Sequence, residues 1–380
     1  MMPETRQSFL GRNWGTLTLS GRQFSIRRLV FWAGVVFWIG NMILRTGTAG
    51  LAELWVSLLF VAEVLIVTSA TRTITLDRVA SLYCMGGTMM GGMWLISSAF
   101  AVFVPSAGFV PVDSVSRQFL VPIMEESLKL APVLFIVWRL RKSLLWTMGA
   151  SDLLLMGAAS GAGFGLVEVA YVRVQVGALH ELAWIPTARL NGITLTAGHG
   201  MWTGLAAATL GLALLWRPRR PILYLLGAAG VLWTSFDHSH HNYGVDRSGI
   251  SVDLFNFVTG HGWLSLYFFL IALVVVLAAD LNVIHRVLPR KPELKTPFAA
   301  FLSSSQNAML AWKFLLTKRA LAFVSLHFEK EPPAVQSSQL DPIVYGLVQT
   351  LVGLRGKITP IVRGPSETSP NRPAPLQSQG

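Results

Sequence analysis

The chain has 380 residues, of which 52% are hydrophobic and 13% charged, about half the charged fraction of an ordinary soluble domain. Together with a mean hydropathy of +0.53, this excludes a water-soluble globule and a disordered chain, which needs the opposite balance; the single cysteine, Cys84, excludes an internal disulfide framework and any cysteine-rich metal site. The net charge of +12 has its basic residues in loops between apolar runs, a signal of membrane topology rather than of a DNA-binding face, so no nucleic-acid partner is expected.

Residues 1–28 are polar and basic, with no small-residue cleavage site after the first apolar run. A cytoplasmic basic segment is expected there rather than a signal peptide. A helix needs about 20 apolar residues to cross the hydrocarbon. The apolar runs 29–45, 51–70, 80–104, 120–138, 150–172, 191–216, 221–238 and 262–285 are candidates. The expected fold class is therefore all-α, a polytopic membrane helix bundle of about eight transmembrane helices over residues 29–286. Basic residues in alternate loops total 17 on one side and 5 on the other. That asymmetry places both termini in the cytoplasm, and a missed or invented span would break the alternation.

The composition changes at about 287. Residues 298–328 are apolar but interrupted by Ser303, Ser304, Ser305, Lys313, Lys318 and Arg319. Trp312, Leu315, Leu316 and Phe323 suit two readings equally: the apolar face of an interfacial helix resting on membrane lipid, or a helix packed on the cytoplasmic end of the bundle. Residues 331–340 form a Pro/Ser linker and 342–358 a short second helix. Residues 287–359 thus make a partly amphipathic cytoplasmic tail, and the Pro-, Ser- and Gln-rich segment 360–380 is expected to be disordered.

Ionisable residues inside spans are costly and point to function by default. They are Glu53 and Glu63 in the second span, Glu125, Glu126 and Lys129 in the fourth, Asp152 and Glu168 in the fifth and His199 in the sixth. Asp237 and His238 close the seventh, with His240, His241 and Asn242 just beyond. From the alternating topology, Glu125, Glu126, Glu168, His199 and His238 fall at one depth, in the outer third of the bilayer. Unrelated structural charges would scatter, so this convergence implies one wet cavity opening away from the cytoplasm. Lys129 lies one turn from either carboxylate and can neutralise each along one helix face. Two adjacent carboxylates sharing one ammonium do not both ionise easily in a low dielectric, which suits acid–base work near neutral pH. Phe164, Glu168 and Tyr171 share a face, as do His199 with Thr203 and His238 with Asn242. The small residues 157–163, with Ala197, Gly198 and Gly200, let helices approach closely around them. Taken singly, each feature also has a structural reading: an ion-pair cluster for the Glu-Glu-x-x-Lys group, an interhelical hydrogen bond for His199, a solvated rim for residues 237–242. Glu53 and Glu63 are assigned no chemistry. Asp152 sits at a helix start, where an acid suits the dipole. Trp138, Trp216 and Trp233 read as lipid-facing or belt residues.

Residues Glu125-Glu126-Ser127-Leu128-Lys129 resemble the Glu-Glu-x-x-Lys signature of the PrsW family of intramembrane proteases. Gly163-Phe164-Gly165-Leu166-Val167-Glu168-Val169-Ala170-Tyr171 is similar to the family's Gly-Phe-x-x-x-Glu-x-x-Tyr helix, with Val169 where Asn is frequent. Thr196 to Gly204, carrying His199, resembles the third motif, and His238 to Asn242 the fourth. Asp237 stands where the family usually has an apolar residue, so a frame using His240 or His241 stays open. The resemblance covers residues 120–243, a protease-like core. The CAAX prenyl endopeptidases are more distantly similar; they carry Glu-Glu-x-x-x-Arg, and the position of Lys129 favours the PrsW branch. Ser160-Gly161 lacks the glycine of a rhomboid motif, no Gly-x-Gly-Asp is present for a presenilin-like enzyme, and His180-Glu181 does not continue to His-Glu-x-x-His.

The resemblance implies an integral multi-pass protease of a bacterial cytoplasmic membrane. Its substrate would be a single-span membrane protein, of which an anti-sigma factor is the typical case, cut near the extracytoplasmic face. Hydrolysis needs an activated water, an oxyanion stabiliser and a proton donor. Glu125 or Glu126 is expected as the base, with Lys129 setting its charge. His199 and His238, with Asn242, would stabilise the oxyanion or donate the proton, and Glu168 would orient a histidine or hold water. No cofactor is favoured. Zinc is the alternative, with Glu126, His199 and His238 as candidate ligands. The competing function is a non-enzymatic transporter, channel or receptor that binds protons or ions at the same cluster.

Overall fold

The computed structural model describes residues 16–19, 22–103, 115–139, 147–176, 197–216, 224–243, 257–260, 263–287, 305–330 and 346–354. A short antiparallel hairpin, β1 (Thr16–Leu19) and β2 (Arg22–Ser25), pairs Leu17 with Phe24. It stands within the segment expected to be merely polar and basic. Everything else described is helical or connecting: α1 (Ile26–Val67), α2 (Leu76–Phe103), α3 (Val115–Arg139), α4 (Ala150–Val176), α5 (His199–Trp216), α6 (Tyr224–Tyr243), α7 (Trp263–Val287), α8 (Ser305–Lys330) and α9 (346–354).

Three differences from the predicted spans bear on the site or on the helix count. The predicted spans 29–45 and 51–70 correspond to the two halves of α1, two helices that meet at a kink at Gly47, with φ 60° and ψ −138°, so the break is narrower than the expected 46–50. Glycine alone takes that conformation without strain, and no proline lies in 46–50 to force a wider break. Helix α5 starts at His199 instead of 191, so His199 opens a helix rather than lying two turns inside one. Helix α6 runs to Tyr243 rather than ending at 238, which keeps His238 within the helix.

Helix α4 is the centre of the bundle. Every residue from Ala150 to Leu166 is buried, as expected for a helix apolar all round. Glycines let its neighbours reach its backbone. A side chain at Gly161 would collide with the carbonyl of His199 and the hydroxyl of Thr203 on α5, and one at Gly157 with the Thr203 carbonyl. One at Gly163 would collide with the Tyr83 carbonyl on α2. On the remaining side, Ser57 of α1 donates to the Ala162 carbonyl at 3.0 Å and accepts from the Tyr83 hydroxyl at 2.9 Å. Among the described residues, Ala150–Glu168 and Phe257–Arg286 are long and apolar enough to cross a membrane by length and composition; Leu54–Ala70 and His199–Leu215 are shorter apolar stretches.

The first turn of α4 is anchored by two buried carboxylates. Asp152 reaches back to accept from the Gly149 amide at 2.9 Å, the carboxylate half of a capping box. It also accepts from the Thr73 amide and hydroxyl and the Ile74 amide in the α1–α2 connection, at 2.7, 2.7 and 3.1 Å. Asp280 of α7 accepts from the Ala150 and Ser151 amides at 3.0 and 2.8 Å. Gly149 has no side chain to cap with, and one there would collide with Asp280. Asp152 is thus structural, as its place at a helix start suggests; Asp280 is a buried acid that the sequence reading did not single out.

Of the two readings of the tail, the structure shows α8 packed on the bundle. Phe323 is buried in the main core, and the Arg319 guanidinium donates to the carbonyls of Ser69 and Arg72. The Trp312 ring lies 4.7 Å from the Arg72 guanidinium and 5.8 Å from that of Arg319. Burial, and then the neighbouring Arg72, pull the Arg319 guanidinium down to about 10. Leu351 of α9 closes a smaller cluster with Ala311, Phe314 and Leu321. Trp138 is exposed, whereas the Trp233 indole donates to Ser265 at 2.9 Å and is not simply lipid-facing.

Candidate functional site

Helix α3 supplies the charged residues. Pro122 and Pro132 lie inside it, and each removes one rung of the helical ladder on either side of the Glu-Glu-x-x-Lys turn. Ser160 of α4 donates to the Lys129 carbonyl at 2.6 Å, fixing this stretch to the central helix. The Lys129 side chain is fully buried. Its ammonium donates to Glu126 Oε1 at 2.8 Å and to His199 Nδ1 at 2.6 Å, and lies 3.9 Å from Glu125 Oε2. The Phe164 ring is 4.7 Å from the same ammonium, a distance at which the aromatic face attracts a cation. Glu126 Oε2 accepts a long hydrogen bond, 3.5 Å, from the Thr203 hydroxyl.

His199 is held between two helices. An ammonium has no lone pair, so Nδ1 must accept from Lys129 and the neutral ring carries its proton on Nε2. Nε2 lies 3.1 Å from Glu168 Oε2. Gly165 makes this possible, because a side chain there would stand 2.9 Å from His199 Cδ2. His238 faces both carboxylates, with Nδ1 3.0 Å from Glu126 Oε1 and Nε2 3.4 Å from Glu125 Oε2. The two imidazoles lie nearly perpendicular with centroids 5.2 Å apart.

The cluster therefore joins α3, α4, α5 and α6 around one point. Burial divides it into a floor and an edge. The side chains of Lys129, His238 and Glu126 are at most 1% exposed, whereas those of Glu125, His199 and Glu168 are 10, 13 and 20% exposed. The edge residues are the ones that water can reach.

The six expected residues Glu125, Glu126, Lys129, Glu168, His199 and His238 are thus brought together. Asn242, His240 and His241 lie on α6, but their side chains are outside the described residues, as are those of Tyr171 and Glu53. Glu63 is half-buried on α1. Asp152 is at the far end of α4, roughly 24 Å from Glu168 along the helix. Two further residues, neither among the expected catalytic residues, join the cluster. Trp202 stacks on His238 at 4.5 Å and meets His199 edge-on at 5.4 Å. Asp237 accepts from the Trp202 indole at 2.7 Å. The available signal was their adjacency: Trp202 is one turn beyond His199, and Asp237 precedes His238.

Donor atoms of Glu126, His199 and His238 lie within 4.8 Å of one another, a grouping that suits a metal ion. The Lys129 ammonium, however, already bonds two of those three side chains. A second cation among them would meet that charge at close range, so the arrangement as it stands does not fit a metal unless Lys129 withdraws.

Residues 76–279 match the model of a family described as PrsW family intramembrane metalloprotease. Comparison with curated proteins and with solved structures gives no match.

Proposed function

Since the chain belongs to the PrsW family of intramembrane metalloproteases, and so is a membrane-embedded peptidase, we propose that it hydrolyses a peptide bond by water activated on Glu125, with Lys129 as the resident cation. The observation that carries this reading is the Lys129 ammonium bonded to both Glu126 and His199, while Glu125 stands at the open edge. Glu126 is occupied by Lys129 and Thr203 and approached by His238. Among the described residues the contacts of Glu125 are longer, at 3.9 and 3.4 Å, and its side chain is 10% exposed, which leaves it open to water as a general base must be.

In this mechanism Glu125 takes a proton as the water oxygen attacks the scissile carbonyl carbon. Lys129 sets the His199 tautomer and Glu168 holds the Nε2–H at rest; the developing oxyanion takes over that hydrogen bond from Glu168 as the water attacks. The proton on Glu125 then passes to the leaving amine as the C–N bond breaks. His238 holds the carboxylate pair from beneath, and Asn242 remains a candidate for the oxyanion from its place one turn further along α6. No step is routed through zinc, because of the ammonium among its candidate ligands.

The bundle has eight transmembrane helices with both termini in the cytoplasm, and α8 and α9 form a cytoplasmic tail. The site faces the extracytoplasmic side of a bacterial cytoplasmic membrane. The substrate is a single-span membrane protein of the anti-sigma-factor kind. Family membership favours this over a transporter, channel or receptor using the cluster for ions. The test compares membrane proteomes of wild-type cells and cells carrying Glu125→Gln. A single-span protein accumulating uncut in the variant supports the proposal; identical proteomes with the variant inserted and stable overturn it.

A further inference from the structure

The residues just assigned contact the two imidazoles at their nitrogens and leave open what supports the ring faces. A histidine ring has a broad χ2 torsion, and a misplacement of about 1 Å costs on the order of 100-fold in rate. Trp202 touches both rings. Its indole is stacked on His238, with an interplanar angle of 26°, and stands at 81° to His199. It is 2% exposed, and its ring is 5.8 Å from the Lys129 ammonium. A flat indole in such a place needs its own constraint, and the ring has one donor through which to receive it. That donor is bonded to Asp237 Oδ2 at 2.7 Å, and Asp237 is 1% exposed.

We infer that Asp237 and Trp202 form a positioning couple: Asp237 anchors the indole, and the indole sets the orientation of His238 beneath the carboxylates and of His199 at the edge. The inference rests on the peptidase reading above. Neither residue touches the reacting atoms. The aspartate occupies a position immediately before His238 on α6, so it cannot itself stack on that ring; it acts across to α5 and back. The chain of contacts runs Asp237 to Trp202 to both histidines, and it links α6 to α5 at the depth of the site. What Asp237 supplies is a hydrogen-bond acceptor of the right reach, which an asparagine oxygen supplies equally, whereas alanine supplies none.

The experiment uses the full chain in detergent with fluorescein-labelled casein as an unstructured probe, and kcat and KM are measured on monodisperse protein. Asp237→Ala is expected to lower kcat about 10- to 100-fold with KM within about twofold. Asp237→Asn is expected to recover at least about a third of wild-type kcat, because the indole N–H keeps its acceptor. Trp202→Phe keeps an aromatic face but loses the donor, and adding Asp237→Ala to it is expected to cost less than about threefold more, as coupled partners require. The inference is overturned by wild-type kcat in Asp237→Ala, by Asp237→Asn as damaging as alanine, or by independent multiplication of the two effects. Should Asp237→Ala not be recovered folded, Trp202→Phe decides: lowered kcat at unchanged KM supports the couple and unchanged kcat overturns it. Glu125→Gln separates this result from the underlying reading. Casein cleavage by that variant at the wild-type rate removes the peptidase mechanism and the inference together; loss of cleavage there, with Asp237→Ala unaffected, removes the inference alone.

Discussion

Replacing Lys129 by methionine tests the central assignment most directly. Methionine keeps the apolar stem and most of the volume, so the cavity contribution is small. What disappears is the ammonium 2.8 Å from Glu126, 2.6 Å from His199 Nδ1 and 3.9 Å from Glu125. Glu126, 1% exposed, then carries a charge without its nearest partner. Breaking a buried pair in this way costs about 3–5 kcal/mol, a large part of the roughly 5–15 kcal/mol that typically holds a folded protein together. The variant is therefore expected to fold but to lose monodispersity on heating in detergent at a temperature several degrees below that of the wild type. Cleavage is expected to fall at least about 100-fold, the lower end of what a tuned acid–base group contributes. A metal-centred site predicts the opposite. Removing the ammonium frees Glu126, His199 and His238 to hold a cation, so bound zinc rises and cleavage persists. Metal content by elemental analysis, heating and casein cleavage on one preparation distinguish the two. Wild-type cleavage in Lys129→Met with one zinc per chain refutes the assignment of Lys129 as the resident cation.

Other outcomes follow from the same geometry. Glu125→Gln is expected to abolish cleavage by at least about 100-fold with little change in heat stability, since the side chain is 10% exposed and its contacts to Lys129 and His238 are 3.9 and 3.4 Å; comparing the activity and melting of the same sample checks this. Gly161→Val should push α5 off α4 by driving a side chain into the His199 carbonyl and the Thr203 hydroxyl, costing about 1–3 kcal/mol and most of the cleavage. Asp152→Ala strands the amides of Gly149, Thr73 and Ile74 at about 1–3 kcal/mol for each group left unsatisfied. It lies far from the site, so its kcat per folded molecule should stay at the wild-type value. Treatment with EDTA or 1,10-phenanthroline should leave casein cleavage within about twofold, because the cation that neutralises the carboxylates belongs to the chain.

Much of the site was legible because of what each residue type costs in a membrane. Glu125, Glu126, Lys129, Glu168, His199 and His238 stand out as polar groups in apolar runs. The i,i+3 spacing of Glu126 and Lys129 was enough to anticipate their pair, now 2.8 Å long, because one helix fixes it locally. The contact of Lys129 with His199 was not legible, since 70 residues separate them and no periodicity links two helices. Trp202 was hidden by its own chemistry. An indole in an apolar run looks like packing until its N–H is seen to meet an acid. Asp280 was missed for a related reason: it lies near the end of a strongly apolar run, and the groups it caps, the Ala150 and Ser151 amides, are on another helix. The break in α1 was placed too widely because apolarity alone does not distinguish a loop from a single glycine in an unusual conformation.

The sequence by itself determined that the chain is helical and apolar, which residues are too polar for their surroundings, and which of them share a helix face. Those properties depend on composition and on the 3.6-residue repeat, both of which are local. Only the tertiary structure decided that Lys129 bonds Glu126 and His199 together, that Glu125 rather than Glu126 meets the open edge, and that Asp237 reaches both imidazoles through Trp202. Those distances are set by how closely α4, α5 and α6 approach and in what register, and glycines such as Gly161 permit a close approach without specifying which partner will make it.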